Sequence, residues 1–367
     1  MLDPVFDFFS RMLSMIGRGI KIVISWLFWP FVAFRNWLSG KGWFIKIPVF
    51  IVLALIFLSY VYLFYITQFW SIGDENYAAK YSVVELEKGA GEKLASGQCQ
   101  PSAMVAVSAD MIDANVNAGP WVPSNPFYKA GLFYIWDWKE TPFFDNRAAF
   151  QLGTNQVVRR TAIELVDRLG RVRGTSSINP NLQAAREAAN YREDAWVFTF
   201  SPPFLQPSTQ ARLRDARQKL LDFNAELMAC DADFDTRADN MLQFMDRVTA
   251  DIGSTSEILQ RRMAQAGAFG FDRRADDRFW FAYGQLYAYH GVLTAMRSDF
   301  RNVFDQRNLT NLWERVDLQL KDVLRTQPFV VANGSASSLI KSHLESIGFD
   351  LLRVRSNLVE MRDVLDR

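Results

Sequence analysis

The stretch IPVFIVLALIFLSYVYLFYITQFWSI, residues 47–72, carries no charged side chain. About 20 apolar residues in helical conformation cross the hydrocarbon core of a bilayer. The run therefore predicts one transmembrane helix from Ile47 to Trp70. Lys46 closes one end, and Asp74 and Glu75 close the other. Trp43 stands before the run, and Tyr60, Tyr62, Tyr65 and Trp70 crowd its far half, as interfacial aromatic belts do. A buried core helix is rarely this long and this free of charge. A cleaved signal peptide has an apolar region of roughly 7–15 residues near its start. Here 46 residues come first, and Tyr77-Ala78-Ala79-Lys80 is not a cleavage site. The reading is a retained anchor, with residues 1–46 before it and a domain at 71–367 after it.

The charge is unevenly placed. Residues 1–70 hold Arg11, Arg18, Lys21, Arg35, Lys41 and Lys46 against Asp3 and Asp7, a balance of +4; the remainder balances at −3, giving the net +1. Basic residues on the N-terminal side of the span place the N-terminus in the cytoplasm. The domain at 71–367 is then outside it, in the periplasm of a Gram-negative cell, with the anchor in the inner membrane. Within residues 1–38, Asp3, Asp7, Arg11, Ser14, Arg18, Lys21 and Ser25 recur at steps of three and four. That makes a thin polar stripe on an otherwise apolar helix, the pattern of a helix lying in the membrane interface. Pro30 is expected to bend or end it. A second crossing would have to use the uncharged residues 22–34, too short a run by itself.

The predicted fold is mainly α: an interfacial helix, a transmembrane helix and then a helical bundle with irregular Trp- and Pro-rich loops. Residues 99–146 hold Pro101, Pro120, Pro123, Pro126 and Pro142 with Trp121, Trp136 and Trp138, and lack long helical periodicity. Further on, Leu213, Ala216, Leu220, Phe223, Leu227 and Cys230 alternate steps of three and four, and Phe234, Met241, Phe244 and Val248 extend the stripe. Two more stripes run from Phe279 to Val303 and from Ile340 to Leu365. Such stripes mark helices packed in a bundle. Asp251 and residues 264–270 break the seams, which favours an intramolecular bundle over a coiled coil. Strand signals reduce to 196–200 (WVFTF) and 329–332.

Chemistry is sparse. The two histidines, His290 and His343, flank apolar stripes and read as structural. There is no H-E-x-x-H, no Walker loop and no G-x-S-x-G, and no signature of a cofactor or metal. Asp231, Asp233 and Asp235 imitate a calcium loop, but Thr236 stands where the loop needs glycine and Leu242 where it needs glutamate. The mixed charge leaves no footprint for nucleic acid. Cys99 and Cys230 can form one bridge in an oxidising compartment, or Cys230 can pack as a small hydrophobe on its stripe. Arg237-Ala-Asp239-Asn240 and Arg274-Ala-Asp276-Asp277 are near copies, 37 residues apart. Arg237 falls on a seam, where a lone guanidinium would be costly, so a carboxylate partner is expected: Asp233 and Asp235 are the local candidates, and Asp276 or Asp277, reached across to another helix, is favoured. The five residues Arg237, Asp239, Arg274, Asp276 and Asp277 are the candidate polar network or ligand site.

Several blocks, taken in order, resemble a known family: residues 121–127 (WVPSNPF), 150–153 (FQLG), 167–180 (DRLGRVRGTSSINP), 237–240, 251–254 (DIGS), 274–277, 284–289 (GQLYAY), 333–334 and 348–352 (GFDLL). The family is a proteobacterial membrane group catalogued as domain of unknown function number two-three-three-three. The resemblance covers nearly the whole chain, including the anchor, and brings no activity, cofactor or catalytic residue with it.

These readings favour a non-enzymatic envelope protein that scaffolds or contacts a protein partner, with the lipid bilayer as its other partner. A ligand-binding sensor or transport accessory, and an envelope enzyme acting on lipid or cell-wall material, are the alternatives. The topology is testable. An enzyme reporter that matures only in the periplasm, fused after Arg367, is expected to be active. A silent periplasmic fusion together with an active cytoplasmic one would reverse the assigned orientation.

Overall fold

A computed structural model describes residues 28–71, 76–132, 135–141, 144–171, 178–199, 201–265, 272–334 and 341–366, with residues 15, 17, 18, 21, 25 and 26 before them. The protein is mainly α. Among the described residues there is no strand, only three isolated bridges. One of these, Phe198 to Leu205, is all that the WVFTF segment contributes. Pro202, Pro203 and Pro207 lack the N–H a ladder needs, so the segment folds back on itself and stops. Residues 329–332 form no strand either.

The chain divides into two units, Met1–Tyr62 and Leu63–Arg367. In the first, residues 28–39 are helical, and the helix continues past Pro30 instead of ending there. The polar stripe of residues 1–25 falls mostly outside the described residues. Helix α1, Trp43–Gln68, begins four residues before the uncharged run and is long and apolar enough to cross a membrane.

The second unit is built from α2 (Ala103–Val116), α3 (Pro126–Ala130), α4 (Asn146–Glu164), α5 (Pro180–Ala189), α6 (Thr209–Met228), α7 (Ala238–Met263), α8 (Ala275–Asp299), α9 (Arg301–Gln306), α10 (Thr310–Leu324) and α11 (His343–Leu365). Two of the quoted blocks are helix starts. Asn125 and Asn179 accept hydrogen bonds from the first N–H groups of α3 and α5, and the following prolines, Pro126 and Pro180, occupy the first helical position. Helix α6 ends at a cysteine. Cys230 takes a φ of 63° where glycine is usual, the Asp231 N–H bonds the Glu226 carbonyl and the Cys230 N–H bonds the Leu227 carbonyl. A disulfide joins Cys230 to Cys99 across 131 residues of sequence. The stripe read from Leu213 to Val248 is therefore two helices with a turn between them.

Helix α8 is the spine. Its sequence shows one stripe, yet it is buried on nearly every face. A helix apolar all round belongs inside. Its main neighbour is α4, which runs parallel to it. The two backbones meet at Gly153 and Gly284. A Cβ on Gly153 would run into the carbonyl oxygen of Phe281, and one on Gly284 into that of Phe150. At mid-length Arg160 of α4 makes two 2.9 Å bonds to the carboxylate of Asp251 on α7, and Tyr289 of α8 donates to the same group at 2.8 Å. At the C-terminal end of α8, the buried Asp299 accepts from the backbone N–H groups of Ala103 and Met104 and from Ser102 Oγ, capping α2.

The chain after α1 climbs this spine. Trp70 packs on Phe150 and Trp280. Tyr77 stacks on Tyr287, and its hydroxyl accepts from the Gly291 N–H at 2.9 Å. Ser298 donates to the Tyr81 carbonyl at 2.6 Å, and Arg301 donates to the carbonyls of Val83, Leu86 and Glu87. The domain thus has an anchor end, where Leu63–Gln68 enter beside the N-terminus of α8, and a far end carrying Asp299 and the disulfide.

The glycine crossing generates a test. Gly284→Ala places a methyl against backbone, which cannot rotate away, so its cost should reach about 3 kcal/mol, the upper part of the overpacking range. Gly348→Ala on α11 is the control: its Cβ would sit at ordinary contact, 3.9 Å from Met263 Cε, and helix propensity favours alanine by about 1 kcal/mol. Urea midpoints of the two variants should move in opposite directions.

Candidate functional site

The two near-copied segments do not meet. Each precedes a helix: Arg237 is the residue before α7, and Arg274 the residue before α8. The two helices are consecutive and antiparallel. Arg262, near the end of α7, binds Asp272 just before α8 at 2.7 Å, while Phe234, before α7, packs on Phe300, after α8. Their starts are thus separated by the length of a 26-residue helix, about 39 Å at 1.5 Å per residue. Arg237 is not a seam residue, because α7 begins only after it. Its guanidinium is 38% exposed and is held by Asp235 at 2.5 Å and by Asp239 at 3.8 Å. The expected pairing with Asp276 or Asp277 is corrected accordingly.

The other segment lies at the anchor end in different company. Arg274 pairs with Glu140 at 2.9 Å. Asp276 and Asp277 stand in the first turn of α8, next to Asp145, the residue that precedes α4. Two parallel helix N-termini thus bring carboxyl groups together from positions 131 residues apart. Asp145 is fully buried and Asp276 nearly so. The oxygens of Asp145 and Asp276 make no well-aligned hydrogen bond; their nearest polar neighbours are each other, Asp277 and the N–H groups at the two helix starts. Asp145 also makes no cap bond to its own helix. Burial pushes the Asp145 carboxyl far above the usual carboxylate range, and the charges of Asp277 and Asp276 push it further. Burial also raises Asp276, with the charge of Asp277 adding to it; contact with Asp145 and nearby backbone N–H groups pull the other way. The buried phenol of Tyr128 is raised by burial first and then by Asp145, Asp277, Asp137 and Asp276. Burial and mutual repulsion both favour the protonated forms of Asp145 and Asp276. Sequence reading found Asp276 and Asp277. It missed Asp145 and Tyr128, which lie in the Pro- and Trp-rich region where no periodicity points inward.

Around this group the surface is creased. A cleft of about 350 Å³ is lined by Tyr128, Glu193, Asp194, Asp277, Arg278 and Phe281. A second cleft of about 350 Å³ is lined by Glu140, Arg262, Asp272, Arg273 and Arg274. Among the described residues, no three His, Cys, Asp or Glu side chains are grouped to hold a metal ion. The histidines lie elsewhere. His290 is buried with Nε2 2.9 Å from Asp317. Nδ1 of His343 accepts from the Ala332 N–H at 2.9 Å, and burial lowers its pKa.

The fold and this site define a class: a helical-bundle protein with one helix apolar enough to cross a membrane and a buried carboxyl cluster where that helix joins the bundle. Residues 39–268 match the family described as an uncharacterized protein conserved in bacteria, DUF2333. The chain belongs to that family, the one that its sequence blocks resemble. Several blocks meet in space: the Val122 N–H donates to Gln151 Oε1 at 2.9 Å, and Tyr289 donates to Asp251. No curated protein and no solved structure matches the chain.

The carboxyl pair makes stability depend on pH with a definite sign. A buried acid whose folded pKa is raised holds a proton that the unfolded chain releases near pH 4. The folded state is then favoured at low pH and loses stability as pH rises from about 4 through the folded value. Asp145→Asn removes that loss without removing a cap bond. The drop in melting temperature between pH 5 and pH 8 should therefore shrink in the variant. At pH 8 the variant should gain at least about 1.4 kcal/mol, the equivalent of one pKa unit. An unchanged pH profile would show that Asp145 ionises freely.

Proposed function

We propose that this is a single-pass protein of the bacterial inner membrane, with its N-terminus in the cytoplasm and its helical domain in the periplasm. The domain acts as a non-enzymatic scaffold that holds an envelope protein at a fixed height above the bilayer. One observation carries the reading: the last turns of α1, Leu63–Gln68, are packed into the domain's own unit. Leu63, Ile66 and Thr67 are buried, and the buried guanidinium of Arg147 on α4 donates to the Ile66 carbonyl at 2.7 Å. A cation on the last carbonyls of a helix satisfies groups that would otherwise be orphaned. From there the chain is tied to α8 up to Asp299. The basic residues before α1 support the orientation.

A second reading, a ligand-binding sensor or transport accessory, is favoured by the Asp145–Asp276 pair beside the cleft of Tyr128 and Asp277. Perturbed carboxyls in a cleft are a common mark of a functional site.

In-cell photo-crosslinking separates the two. A crosslinkable residue replaces Leu318 on α10 or Leu352 on α11, both exposed and apolar. The scaffold reading expects the same envelope protein to be captured from both positions. No protein adduct at either position, with small molecules retained by the wild-type domain and lost in Asp277→Asn, would favour the sensor.

A further inference from the structure

Several exposed apolar side chains of the domain stand on its loops, apart from Ile258, Leu318, Phe349 and Leu352 on α7, α10 and α11. Ile135 and Trp136 follow α3; Phe198, Phe204 and Leu205 stand on the loop between α5 and α6; Phe329 follows α10. All six belong to the anchor end. Trp138 donates to the Phe127 carbonyl of α3 and packs on Phe144, and Phe144 packs on Phe64 of α1, with ring centroids 4.7 and 6.4 Å apart. The α5–α6 loop lies against α3, and the two share a groove of about 810 Å³ lined by Pro126, Lys129, Trp196, Phe198 and Pro202. Gln327 donates to the Tyr283 hydroxyl at 3.0 Å, and His343 packs on Phe279, so Phe329 lies beside the N-terminal half of α8. Exposure is high: 86% at Phe329, 59% at Phe198 and 56% at Trp136. At the far end, around Cys99, Cys230 and Asp299, the large apolar side chains that stand exposed are Val84 and Met228.

We propose that this end of the domain is seated in a phospholipid surface, its aromatic loops immersed in the interfacial zone around the anchor. The inference rests on the reading of α1 as a membrane-crossing helix. An exposed apolar patch of this extent marks a site that something covers. The occupant follows from continuity: the patch lies at the end of the domain that Leu63–Gln68 of the apolar helix enter, and Trp and Phe are side chains suited to a headgroup boundary.

The test uses the full chain in liposomes of phosphatidylethanolamine and phosphatidylglycerol. A nitroxide is attached at Trp136→Cys, Phe198→Cys or Phe329→Cys, one at a time, with Cys99–Cys230 left oxidised. Collision with oxygen, which partitions into lipid, is compared with collision with a water-soluble nickel chelate. The three labels should favour oxygen several-fold relative to Val84→Cys and Leu318→Cys, which should favour nickel. These positions are exposed, so folding is retained, and matching melting temperatures verify it. Nickel access at the three positions equal to that at Val84 overturns the proposal. So does spin–spin broadening among them, which would mean that a second copy covers the patch. A label at Leu55→Cys in α1 separates the two levels of inference. Oxygen-favoured Leu55 with nickel-favoured loops sinks the lipid seat alone, whereas nickel-favoured Leu55 sinks the anchor itself.

Discussion

The contact on which the structure depends is the meeting of two backbones at Gly153 and Gly284. Close packing leaves no room for a methyl there. Because α4 and α8 are parallel, fixing their separation at that crossing also brings both N-termini to one end. Asp145 and the Asp276–Asp277 pair are neighbours for this reason alone. The same geometry aligns Arg160 and Tyr289 on Asp251 further along, so the position of the carboxyl cluster and the strongest interhelical tie are consequences of one crossing.

Much of the architecture was legible because it depends on local pattern. The long apolar helix α1 shows in length and charge, α6 and α7 in their stripes, and α3 and α5 in an Asn–Pro start. What was not legible depends on direction and distance. The repeated Arg-Ala-Asp motif suggested two touching segments, yet consecutive helices joined by a short connection run antiparallel, so like positions at their starts lie a helix apart. The stripe through Cys230 to Arg237 concealed a turn, because a cysteine in a left-handed conformation ends α6 without the usual glycine. Helix α8 showed one apolar face although it is buried on nearly all; its remaining faces use Ala, Gly, Ser, Thr, Gln and His, residues that polarity alone assigns to the surface.

The carboxyl cluster was half visible for a related reason. Asp276 and Asp277 at a helix start read as ordinary dipole partners. Their departure from that role comes from Asp145, which sits in an irregular segment and is brought in by the glycine crossing. Two acids that would each be unremarkable when exposed favour their protonated forms when desolvated together. Nothing in the spacing of either segment carries that information, because it belongs to the pair.

Cost and position together give the anchor end its character. Burying carboxyls without well-aligned hydrogen bonds is unfavourable, and leaving Trp136, Phe198 and Phe329 in water is unfavourable too. Both costs occur where the anchor joins the domain, while the far end is closed by a disulfide and a fully used helix cap. In the lipid seat proposed above the two costs change in the same direction: the surface covers the aromatic loops, and a lower surrounding dielectric favours the protonated form of buried acids.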